Sequence, residues 1–215
     1  MELDSYEILP RDFYQQNDVV SIARQLIGKV LFSRLDGQLT AGRIVETEAY
    51  NGRDDKACHA FLKRTRRTEI MYGPGGHAYI YLCYGIHHLF NIVTNEESLA
   101  DAVLVRAVEP LLGLDIMMQR RGLKEARKNL TAGPGVLSQA FGIRKYYSGT
   151  DLLKSPIWIA ETKVADRKLE IESDRRVGVN YAGKDALLPW RFYEKGNKWI
   201  SRKKQKDVDI NQLKD

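Results

Sequence analysis

The sequence is short of several things. Its 215 residues include only two cysteines, Cys58 and Cys83, too few for a disulfide framework or a thiolate zinc site. No apolar run approaches the roughly 18 residues a membrane-spanning helix needs. The opening residues, Met1-Glu2-Leu3-Asp4-Ser5, lack the basic-then-apolar pattern of a secretory signal. There is no internal repeat and no low-complexity linker that would divide the chain. The histidines are His59, His77, His87 and His88, and their spacing matches no zinc pattern. Neither a Gly-x-Ser-x-Gly elbow nor a Gly-Lys-Ser/Thr phosphate loop occurs. These absences predict a soluble intracellular protein with no membrane partner, no metal and no cofactor.

What is present is ordinary in bulk and uneven in detail. A hydrophobic content of 43% with 29% charged residues excludes wholesale disorder. Thirty-four Lys and Arg against 28 Asp and Glu leave a net charge of +6. That excess permits a polyanionic partner and serves equally well as solubility charge. Eleven tyrosines outnumber the six phenylalanines and three tryptophans together. At about 150 residues per domain the chain reads as one domain over 1–215. Its last stretch, 202–215, carries the basic run 202–206 and reads as a flexible, solvated tail.

Periodicity supplies the elements. Asn17-Asp18 offers a cap for a helix through Leu26 that Gly28 stops. Strands are expected at 29–35 and 39–50 about an Asp36-Gly37 turn, then at 77–82, 89–94 and 102–109. Helices are expected at 111–121 and from Val136 to Phe141, and short strands at 157–159 and 192–200. Strands dominate early and helices late, without βαβα alternation, so the class is α+β.

Three segments carry candidate chemistry. On the strand ending at Tyr50, alternation puts Ile44, Glu46, Glu48 and Tyr50 on one face. That face is either a solvated one or a site holding two carboxylates and a tyrosine. On the strand after Gly73-Pro74-Gly75-Gly76, His77, Tyr79 and Tyr81 share a face, and Tyr84 stands at a turn before Gly85. Such a stripe is core packing or a stacking platform for bases. Arg106 lies on an apolar strand with Leu104 and Val108 as face-mates, so it needs an anionic partner. The partner is a structural one, Glu46 or Glu109, or a catalytic carboxylate. The basic cluster Lys63, Arg64, Arg66 and Arg67 is a phosphate contact or a solvated loop.

RIVETEAY at 43–50, His59, YLCYG at 81–85, Asn91 and LVRAVEP at 104–110 occur in that order. GPG at 133–135, RVGVNYAG at 176–183 and PWRF at 189–192 follow. Together they resemble the alkyladenine (3-methyladenine) DNA glycosylase family, over nearly the whole chain from Phe13 to Ser201. The resemblance implies a curved, mainly antiparallel sheet with surrounding helices and a protruding β-hairpin. It implies a monofunctional monomer that flips alkylated or deaminated purines out of double-stranded DNA and hydrolyses the N-glycosidic bond. Such an enzyme works in the cytoplasm or nucleoid of a bacterium, or in the nucleus of a eukaryote. Carried over by position, Glu48 is the general base, and Arg106 with the Val177 carbonyl holds the attacking water. Tyr50, His59 and Tyr81 form the base pocket, Asn91 excludes the guanine 2-amino group, and Tyr84 is the wedge in the duplex. Lys63, Arg64, Arg66 and Arg67 are the expected backbone contacts.

Two readings from other classes compete. A non-catalytic nucleic-acid binder would use the tyrosines and basic loops, but gains nothing from Glu48 facing phosphate. A sugar glycosidase would use Glu46 and Glu48, but two acids along one strand cannot easily flank a ring.

Overall fold

Tight turns cut the first half of the chain into long paired strands. The computed structural model describes residues 2–61, 63–163 and 168–201; the basic run at 202–206 lies outside them. Strand β1 (Tyr6–Ile8) and helix α1 (Arg11–Tyr14) precede α2 (Val19–Gln25). Asp18 caps α2 by accepting from the Val20 and Ser21 amides at 2.9 and 3.1 Å, and Val19, Ile22 and Ala23 form its buried stripe. Strands β2 (Val30–Leu35) and β3 (Gln38–Tyr50) meet at Asp36-Gly37. Both turn residues have positive φ, 53° and 71°, as a two-residue hairpin turn with the strands' own twist requires. A second hairpin joins β4 (Ala78–Cys83) to β5 (His87–Thr94), and β6 (Asp101–Leu112) lies between β5 and β3.

Helices α3 (Leu114–Arg121) and α4 (Pro134–Phe141) follow, then β7 (Leu153–Lys154), β8 (Ile157–Thr162), β9 (Ile171–Asp174) and β10 (Arg191–Glu194). Every strand pair is antiparallel. The sheet runs β1-β8-β2-β3-β6-β5-β4, with β10 joined to β3, β9 to β10 and β7 to β8. One edge of β3 is divided, its first half pairing with β2 and residues Glu46 to Glu48 with β10, and the sheet curls. The fold is α+β, as its sequence pattern predicts.

The main core lies on one face, where α2 and α4 cover Ile44, Val105, Phe90 and Ile80. A second, smaller cluster on the other face gathers Cys58, Met71 and Tyr79, with Tyr50 and Tyr81 packed against it. That aromatic cluster lines the site described below.

Two boundaries differ from expectation. Strand β6 continues through Pro110 to Leu112, and the helix expected from 111 starts only after Gly113. Pro110 is accommodated because it faces Gly42 beside a register shift, where no regular ladder is broken. The strand expected over 192–200 is a strand only through Glu194. Gly196, at φ 73°, then turns the chain so that Trp199 packs into the core. The unanticipated β1, α1 and β9 have three or four residues each, too few to show a period.

Candidate active site

Two compensating bulges bring the charged groups together. Between β3 and β6 the register steps from Ile44–Val108 to Glu46–Ala107 to Thr47–Val105. Val45 is the extra residue on one strand and Arg106 on the other. At its bulge, Arg106 reaches two carboxylates, with Nε 3.0 Å from Glu46 Oε1 and Nη1 3.3 Å from Glu48 Oε2. The bulges also break the expected face: Leu104 lines a cavity with Arg106, whereas Val108 lies in the main core. Glu109, the other expected partner, pairs with Arg43.

Both Glu46 and Glu48 are fully buried, so this strand face is not the solvated one that the sequence left open. The two acids are held differently. Glu46 accepts from Arg106, from Arg191 at 3.1 Å, and from the Ser201 amide and hydroxyl at 2.5 and 2.9 Å. Glu48 accepts the Val177 amide on Oε1 at 2.7 Å and the Tyr50 hydroxyl on Oε2 at 2.8 Å. With Arg106 also on Oε2, the Oε1 atom carries one donor and keeps a lone pair. Burial opposes the Arg106 charge, but Glu48 and Glu46 outweigh it and raise its pKa above the ordinary value. Burial, then the Glu48 charge, holds the Tyr50 hydroxyl well above its usual range, so it stays a donor. Glu46 carries three donors on Oε1 and one on Oε2. It lies two residues along the same strand as Glu48 rather than across a ring from it, where a sugar glycosidase would need its second acid.

In front of Glu48 lies a cavity of about 370 Å³ lined by Tyr50, His59, Tyr81, Asn91, Arg106 and Val177, with Tyr84 at its rim. Glu48 does not face the cavity directly; its three hydrogen-bond partners form that part of the wall. The structure therefore brings the expected residues together, with the Val177 amide rather than its carbonyl touching the carboxylate.

The His59 and Tyr81 rings meet edge to face, with centroids 4.6 Å apart. His59 Nδ1 is 3.1 Å from the Tyr79 hydroxyl, and Nε2 is 3.5 Å from Arg67 Nη2. Arginine can only donate, which assigns the His59 proton to Nδ1. Burial, then the Arg67 charge, lowers the His59 pKa to about 4, so the ring is neutral near pH 7. The Asn91 amide donates to the Tyr79 and Leu89 carbonyls at 3.1 and 3.3 Å, which fixes it as a rigid wall. Behind Tyr50, the Arg176 guanidinium lies between the Tyr50 and Trp190 rings at 4.9 and 5.1 Å, gripped by Asp55.

The β4–β5 turn projects beside this cavity. Tyr84 and Gly85 have φ of 49° and 72°, and the Ile86 amide closes the turn on Cys83 at 3.2 Å. Tyr84 is 90% exposed and Ile86 72%, an apolar tip offered to solvent. The basic cluster is split. Arg64 pairs with Glu69 and lies over Tyr72, and Arg67 turns inward to Tyr81. Among the described residues Lys63 and Arg66 have no side-chain partner. No group of three His, Cys, Asp or Glu side chains among the described residues is placed to hold a metal ion. No helix there is long and apolar enough to cross a membrane. Burial pushes the Cys58 thiol up to about 12, where it is no nucleophile.

Residues 12–198 match the family model for methylpurine-DNA glycosylase. The chain belongs to the methylpurine-DNA glycosylase family. It is thereby a DNA glycosylase, a hydrolase of DNA repair. Curated relatives named "Putative 3-methyladenine DNA glycosylase" include one from Carboxydothermus hydrogenoformans, 44% identical over 91% of this chain and 100% of its own. Those of Desulfitobacterium hafniense and Methanocella arvoryzae are each 42% identical, over 91% and 94% of this chain and 98% and 99% of theirs.

Several parts of this glycosylase's site had no assigned role at the level of sequence. Gly133, Pro134, Gly135 and Val136, at the start of α4, line the cavity. A Cβ at Gly135 would stand 2.8 Å from the His87 ring, so the glycine there permits close approach, a signal the GPG motif carries. Arg176 behind Tyr50 opens the RVGVNYAG motif, which carries no hint of its burial, and Ser201 on Glu46 has no sequence signal at all.

Proposed function

We propose that the chain removes alkylated and deaminated purines from double-stranded DNA as a monomer, leaving an abasic site. The substrate class is 3-methyladenine, 7-methylguanine, hypoxanthine and ethenoadenine. One observation carries this: a buried carboxylate, Glu48, stands directly behind a cavity walled by Tyr50, His59 and Tyr81, and its hydrogen-bond partners Tyr50, Val177 and Arg106 all line that cavity. Such chemistry cannot occur inside the helical stack, so the damaged nucleotide must be flipped out. Exposed Tyr84 at the rim fills the space it leaves, offsetting part of the few kcal/mol of unstacking.

In the pocket the base stacks among Tyr50, His59 and Tyr81. Asn91, held by two carbonyls, cannot swing aside for a guanine 2-amino group, so normal guanine is rejected by collision. A water held by Arg106 and the Val177 carbonyl gives its proton to Glu48 Oε1, and its oxygen bonds to C1′. The C1′–N bond breaks and its electron pair leaves with the base. A cationic methylated purine departs neutral, so it needs no second acid. Among the described residues no lysine lines the cavity, which favours water as the nucleophile and a monofunctional enzyme.

The test is incubation with duplexes carrying one hypoxanthine or ethenoadenine, followed by alkaline cleavage. Strand breaks confined to the lesion are expected, and their absence overturns the reading. Glu48→Gln should lower excision by about 10²–10⁴-fold with lesion affinity nearly unchanged. A wild-type rate in that variant would remove Glu48 from the base role.

A further inference from the structure

This inference rests on the glycosylase reading above and extends it to the choice among lesions. Two guanidinium groups stand against the rings of the clamp, Arg176 over Tyr50 and Arg67 over Tyr81, each 4.9 Å from the ring centroid. Neither lines the cavity. Their charges are not equivalent. Arg176 is gripped by the two oxygens of Asp55, which neutralise it locally. Arg67 is exposed, and among the described residues no carboxylate pairs with it. It sits in a neighbouring groove that shares only Cys58 and His59 with the cavity. From there it bears on the Tyr81 face, on His59 Nε2 and on the Tyr79 hydroxyl.

The candidate bases differ in charge. A purine methylated at N3 or N7 carries +1 before the bond breaks, whereas hypoxanthine and ethenoadenine are neutral. A cation on the outer face of an aromatic ring draws π density away from the inner face, weakening its attraction for a second cation. It also adds direct repulsion, since a stacked base would lie about 8 Å away, across one ring thickness.

We infer that Arg67, acting through Tyr81, is a specificity-determining residue that shifts the clamp away from cationic bases and toward neutral ones. The charge is supplied by the protein, so it bears on every base that enters. Only the base's own charge decides the sign of the effect.

The test measures kcat/KM on two duplexes identical except for a single 7-methylguanine or hypoxanthine. Arg67→Met should raise the cationic-to-neutral ratio about three- to tenfold, with the change lying mainly in KM. A residue that only touched phosphate would change both lesions alike. Arg64→Met serves as the comparison, because Glu69 already balances Arg64, and its ratio should stay at the wild-type value. An unchanged ratio in Arg67→Met, or an equal shift in Arg64→Met, overturns the inference while leaving the glycosylase reading intact. Failure of the wild-type protein to excise either base overturns both.

Discussion

Glu46 and Glu48 sit two residues apart and are equally buried, yet only one stands against the cavity. Glu46 is held by two arginines and Ser201, of which only Arg106 lines the cavity, whereas Tyr50, Val177 and Arg106, which hold Glu48, all line it. Removing Glu46 should therefore be felt as stability. Glu46→Ala takes one carboxylate from two buried cations, leaving Arg106 to Glu48 and Arg191 to Asp174, and is expected to cost about 1.5–3 kcal/mol, read from urea unfolding at neutral pH. The sequence placed both acids and Tyr50 on one face, which was right as far as alternation goes. Which acid backs the cavity was not legible, because it depends on bulges at Val45 and Arg106 that no local pattern announces.

His59 gives a second residue-level prediction. Its pKa is depressed to about 4 in the fold, so between that value and about 6.5 the unfolded chain binds the extra proton. The stabilising contribution is complete above this window and is lost as pH falls through it. The ring is partly open to solvent, so screening should hold the loss to about 1–2 kcal/mol. Melting temperatures across pH 4–7 should show that slope in the wild type and a flatter one in His59→Gln.

At the scale of elements, the β4–β5 hairpin sets function against stability. A tyrosine at φ 49° occupies backbone space that costs a non-glycine residue about 1–2 kcal/mol. Tyr84→Gly should relieve that strain and stabilise the fold by about 0.5 kcal/mol, once the greater freedom of the unfolded chain is offset. The same variant should lose its hold on an abasic-site duplex. A melt and a binding titration on one preparation check both, and unchanged affinity would remove Tyr84 from the wedge role. Hairpins were the most legible elements because Asp36-Gly37 and Tyr84-Gly85 announce their turns. The end of β6 was less so: Pro110 reads as a stop, and only the register shift opposite Gly42 lets the strand run past it.

Over the whole molecule, ordered motifs from 43 to 192 resemble one family, and the family model matches residues 12–198. Composition could not have supplied this, since a charge of +6 is compatible with many partners. Within the basic loop at 63–67 the structure separates the side chains. Lys63 and Arg66 remain unengaged among the described residues, while Arg64 and Arg67 are occupied within the protein. Neutralising Lys63 and Arg66 together should weaken binding to damaged and undamaged duplexes alike. If each meets one phosphate, the slope of log affinity against log salt should fall by about 1.8. A lesion-selective loss would place these side chains at the pocket instead.

The contact between Ser201 and Glu46 has a consequence in time. A chain is made from its N-terminus at about 5–20 residues per second, and β3, with both acids, emerges long before residue 201. Until then Glu46 lacks two of its four hydrogen bonds, and Arg106 lacks the Ser201 hydroxyl it also donates to at 3.2 Å. A chain still on the ribosome can display the Tyr84 hairpin and its basic loop while the acid–arginine network stays unfinished. Its competence to excise a base is therefore expected only once residue 201 has been made and folded against Glu46.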